Sequence, residues 1–124
     1  MRSPALIAAA ALCLPAVGCG TPGPDASVRG TVDAFLLHCR RGDGPAAQEL
    51  VVPPARAIFV AESGTAAGCA RILGLRGDAD LAATHVAGVA VDSELAAADV
   101  ATAAGARRLS LSFSREGWLI EGPH

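Results

Sequence analysis

The sequence predicts an α+β domain, N-terminal helices packed on a curved antiparallel sheet, carried behind a cleaved export signal. Three observations predict it. An unbroken apolar run opens the chain, residues 28 to 39 repeat their apolar side chains at helical spacing, and residues 109 to 120 alternate apolar with polar. A chain of 124 residues leaves room for one domain after the signal.

The first stretch reads "MRSPALIAAAALCLPAVGCG". Arg2 supplies a positive n-region, residues 5 to 14 form an apolar h-region, and small residues follow, which is the plan of a secretory signal. The run is too short for a hydrocarbon core that needs about 20 apolar residues. Ala16, Val17 and Gly18 directly before Cys19 resemble the lipobox of bacterial lipoproteins. That resemblance implies cleavage after residue 18, a diacylglycerol-modified Cys19, and a mature chain anchored by lipid at the outer face of the bacterial cell membrane. Residues 1–18 are then a lipoprotein signal peptide. The Gly- and Pro-rich residues 19–26, "CGTPGPDA", read as a flexible tether reaching about 25 Å, and 27–124 are the domain.

Removing residues 1–18 deletes Arg2 from ten basic residues and no carboxylate, so nine arginines face twelve acidic groups. Nothing here attracts nucleic acid, which requires a basic patch and stacking aromatics. Lysine, asparagine and tyrosine are absent while alanine, glycine and arginine abound. This bias matches a GC-rich genome, so the missing lysines carry no functional message. Of the four cysteines, Cys13 leaves with the signal and Cys19 takes lipid. In an exported chain the even remainder, Cys39 and Cys69, reads as one disulfide; two separate buried thiols are the alternative.

The first helix is expected from Ser27 as N-cap to Gly42 as stop. Val28, Val32, Phe35, Leu36 and Cys39 fall within an arc of about 100° on its wheel. Asp43, Gly44 and Pro45 open a second helix running to about Val51, with Pro53 and Pro54 as the interruption. Residues 55–62 and 66–73 are further helical pieces, and Cys69, Ile72 and Leu73 share one face of the last before Gly74 ends it.

Downstream the period becomes two. "THVAGVAVDS" reads as a strand with Val89 and Val91 on one side. In "RRLSLSF", Leu109, Leu111 and Phe113 alternate with polar residues; a turn follows, and "WLIEG" returns with Trp118 and Ile120 facing the core. Residues 93–105 hold the conflict: Ser93 as a cap, the alanine run and Gly105 as a stop favour helix, whereas a strand completes an antiparallel meander. The strand is the expectation taken, because a paired sheet overrides a preference of a few tenths of a kcal/mol per residue.

In order, the lipobox, the helix ending "RRGDG", the "PAAQEL" helix, the cysteine-bearing helix and the hairpin "LSLSFSREGWLIEG" resemble small secreted lipoproteins with a nuclear transport factor two-like domain. The resemblance implies a sheet wrapped round the helices as a cone, with a pocket at its wide end. That fold hosts isomerases, dehydratases and pure binding modules alike. Its enzymes place an Asp or His base in the cone, often with a Tyr donor, and this chain has no tyrosine. The polar candidates are Asp33, His38, His85, Asp92 and Asp99. None stands in a recognisable catalytic spacing, so no catalytic residue is assigned and no cofactor is implied. His38, Cys39, Cys69 and His85 are zinc-type ligands without the short paired spacing of a zinc site, so no metal is expected either. The reading is a non-enzymatic binding or accessory module for a small apolar ligand or a cell-envelope partner. The alternatives are a cone enzyme using a pocket Asp or His, and a purely structural or assembly protein.

Overall fold

Proline decides where the first helix starts. In the computed structural model, which describes residues 23–62, 64–75 and 81–123, helix α1 spans Pro24–Arg41. The expected signal peptide and Cys19 lie outside the described residues. The fixed φ of Pro24 suits the first helical position, and Asp25 places a carboxylate near the positive end of the helix dipole. Ser27 is therefore not the N-cap: its N–H already bonds the Gly23 carbonyl at 3.1 Å. The expected tether of residues 19–26 gives up 24–26 to the helix. The stop is as read. Gly42 takes φ 72°, its N–H bonds Cys39 O, and Asp43 N–H bonds His38 O, so the last carbonyls are satisfied in a Schellman turn.

Helix α2 (Gly44–Gln48) is capped by Asp43, whose Oδ1 accepts from the Ala46 N–H at 3.2 Å. It stops short of the expected Val51. Val52 precedes a proline and is forced extended (φ −64°, ψ 152°). Val51 instead forms a parallel bridge to Ile120, with Ile120 N–H bonded to Leu50 O and Val52 N–H to Ile120 O. Pro53 and Pro54 do not merely interrupt; they start helix α3 (Pro53–Ala61), at positions whose N–H groups have no helical acceptor anyway. Helix α4 (Thr65–Ile72) follows and closes on Gly74 at φ 73°.

Four strands form one open antiparallel sheet in the order β1 (His85–Asp92), β2 (Leu95–Thr102), β3 (Gly105–Ser114), β4 (Gly117–Pro123). The conflict at residues 93–105 thus resolves as strand. Every residue of Leu95–Thr102 pairs with β3, and most also pair with β1. Ladder bonds on both flanks outweigh the helix propensity of alanine. Ala96, Ala98 and Val100 point inward and are buried with Leu109, Leu111 and Ile120 against Val28, Val32, Phe35 and Leu36 of α1. Each such Val, Leu or Phe contributes about 1.5–3 kcal/mol by leaving water. Phe113 departs from the expected pattern. Although it continues the Leu109–Leu111 alternation it is 53% exposed near the end of β3, with its ring 5.2 Å from that of Trp118.

Cys39 and Cys69 are joined by a disulfide across 6.1 Å between their Cα atoms, tying the end of α1 to the middle of α4. Among the described residues no helix is long and apolar enough to cross a membrane.

Candidate functional site

One face of the sheet packs on the helices, and the other is open over β1, β2 and β3, while at β4 Leu119 is buried near Pro53. Register pairs Ala90 with Ala97 and Ala97 with Ser110, and Ser110 with Gly122, so small residues form a row across all four strands. On one side stands the row Asp92, Leu95 and Ser112, and on the other Gly88, Asp99 and Arg108. A low row between taller ones makes a gutter. The result is a shallow depression of about 320 Å³ lined by Ala90, Leu95, Ala97 and Ser110 together with Val91, Ala96 and Leu111 of the same strands, with Asp92 and Glu121 at its rim. Glu121 reaches that rim because β4 carries one extra residue there, the pairing jumping from Ser110–Gly122 to Leu111–Ile120.

Electrostatics along the gutter are simple. Arg108 Nε donates to Asp99 Oδ1 at 2.9 Å, an exposed cross-strand pair. That hydrogen bond, and then the attraction of the carboxylate, raise the guanidinium's pKa above its ordinary value. The pair fixes one wall of the gutter as a neutral unit, leaving Asp92 and Glu121 to set its charge.

The polar candidates do not converge. Asp33 is exposed and His38 half-buried on α1, which lies against the opposite side of the sheet from Asp92 and Asp99. His85 opens β1 with its Nδ1 3.4 Å from Ala83 O, separated from the Asp92 row by the Asp99 and Ala97 rows. Cys39 and Cys69 are spent in the disulfide and buried, so neither sulfur offers a thiolate to a metal or to a substrate. Among the described residues no three His, Cys, Asp or Glu side chains gather where they could share a metal ion. We therefore expect His38→Gln and His85→Gln to leave the biological role intact. Complementation of a deletion strain measures this, and complete loss in a stably folded variant would point to acid–base chemistry instead.

Of the sequence candidates, only Asp92 lines the depression. Ala90, Ala97, Ser110 and Glu121 carry no chemical signature in the sequence. The one available signal was positional: once the meander is assumed, residues 95, 97 and 99 must face away from the buried 96, 98 and 100. Comparison of the chain with protein-family models, curated proteins and solved structures returns no match.

Proposed function

We propose that this protein is an extracytoplasmic lipoprotein, held at the outer face of a bacterial membrane through Cys19, whose domain is a non-enzymatic binding module of the cone-like, nuclear transport factor two-like kind. The apolar depression on the open sheet face carries the binding part of the reading. Its volume, about 320 Å³, falls at the small end of the range for ligand sites, and alanine and leucine form most of its lining. The bound group is apolar and small in cross-section, presented either by a small molecule or by a segment of an envelope protein. The buried Cys39–Cys69 disulfide supports the compartment, since such bonds persist where thiols are not kept reduced.

The test uses the chain purified natively from its own host and weighed by native mass spectrometry. We expect wild type to retain a bound species, and Ala97→Arg, which fills the middle of the gutter, to lose at least nine-tenths of it while melting within a few degrees of wild type. A retained mass of a few hundred daltons identifies a small ligand and one of several kilodaltons a protein partner. Equal retention by Ala97→Arg would remove the depression from the function.

A further inference from the structure

We infer that the end of the sheet carrying Leu95, Phe113 and Trp118 rests on the uncharged or zwitterionic lipid surface to which the chain is attached. The inference rests on the reading of Cys19 as the anchor. Its first support is length. Because α1 begins at Pro24, only residues 19–23 separate the anchor from the fold, and five residues reach at most about 18 Å. The domain cannot stand far from the bilayer.

Orientation follows from α1. Arg29, early in the helix, reaches the Val86 carbonyl at 3.5 Å, whereas Arg40, near its end, donates to Thr84 O at 2.7 Å and Leu81 O at 2.9 Å. Arg29 thus meets β1 at its second residue while Arg40 lies before its start, so the C-terminal half of α1 extends past the His85 end of the sheet and the N-terminal end is the one that lies on the sheet. With 18 residues it is about 27 Å long. That exceeds the reach of the tether, so the far end of the domain cannot be turned to the membrane. The exposed Val60 belongs to that far end, where it shares a cleft with Gly44, Pro45 and Thr65 just beyond the C-terminus of α1.

The near end presents apolar groups. Leu95 is 61% and Phe113 53% exposed, and the Phe113 N–H bonds Glu94 O at 2.9 Å, which holds the two hairpins as one rigid rim. Phe113 packs its ring against Trp118, which is only 8% exposed and backs the rim from the core, so Leu95 and Phe113 are the side chains offered to the lipid. Charge bears on the lipid. Asp92, Glu94 and Glu116 face the guanidiniums of Arg115 and Arg56 around this rim, Arg56 Nη2 lying 3.7 Å from Glu116 Oε1, so the rim carries one net negative charge and no basic cluster for anionic headgroups, and apolar contact must supply the attraction.

Trp118 is the only tryptophan and there is no tyrosine, so fluorescence reports this rim alone. The full chain, expressed in cells and purified in detergent, is first weighed intact and then reconstituted into phosphatidylcholine vesicles with brominated acyl chains. We expect a lipid adduct in the mass and Trp118 emission quenched about twofold, the indole standing directly behind Phe113 and so close to the bromines of a docked bilayer. Leu95→Ser with Phe113→Ser, both at exposed positions, should abolish the quenching while lowering the melt by no more than the several degrees that the Phe113–Trp118 contact is worth, and anionic lipid should weaken it. A lipid-bearing chain whose Trp118 emission is unchanged overturns the docking and leaves the anchor standing. A chain without lipid overturns both.

Discussion

Replacing Cys39 with Ser is expected to lower the melting temperature by roughly 15–25 °C. The disulfide closes a loop of 30 residues, which in the chain-entropy account removes about 3.6 kcal/mol of freedom from the unfolded chain. A whole domain is typically stable by only about 5–15 kcal/mol, and about 1 kcal/mol shifts the melt of a domain this size by roughly 4–8 °C. The position strengthens the case. Cys69 is fully buried and Cys39 nearly so, and the buried residues of the helix that carries Cys69 are otherwise Gly68, Ala70 and Ile72. Melting followed by far-ultraviolet circular dichroism, with and without reductant, makes the check. Reductant should lower wild type to about the level of Cys39→Ser and leave the variant unmoved. Identical melts for the two proteins in oxidising buffer would show that the bond adds nothing.

Much of this architecture is legible in the chain, and the unread parts share a cause. Helix α1 could be read because five apolar side chains in one arc leave a single buried face, and Gly42 permits the one backbone turn that ends it. The β3–β4 hairpin was equally plain, since Leu109, Leu111, Trp118 and Ile120 have no other way to share a face. Wherever a residue's meaning depends on what lies across from it, local pattern falls short. Val51 looks like a helix end until Ile120 is beside it, and Phe113 looks like core until it is found 53% exposed near the end of β3. Alanine is the extreme case. In β2 it serves the buried face at 96 and 98 and the floor of the open gutter at 97, so the residues that shape the depression are those with the least to say on their own.

The same dependence on a neighbour sets the sign of the second large effect, at Gly68. In the interior of a helix, glycine is worse than alanine by about 0.8–1.0 kcal/mol, so Gly→Ala ordinarily stabilises. Gly30 meets that condition: it lies exposed in α1 and a Cβ there would touch nothing within 4 Å. Gly30→Ala should accordingly raise the melting temperature by a few degrees. Gly68 is buried in α4, and a Cβ there would lie 2.8 and 2.9 Å from Cδ1 and Cε1 of Phe59 and 3.0 Å from the Phe59 carbonyl oxygen. The ring cannot swing clear without leaving the core, where it is only 3% exposed, and the carbonyl is held in α3. Relieving the contact must push α3 from α4, at the typical cost of about 1–3 kcal/mol for overfilling a packed site. Since that exceeds the propensity gained, Gly68→Ala is expected to melt roughly 5–10 °C below wild type, and Gly68→Val further below. Paired thermal melts of Gly30→Ala and Gly68→Ala decide it: opposite signs are required, and a Gly68→Ala variant as stable as Gly30→Ala would mean that α3 and α4 do not meet at Phe59.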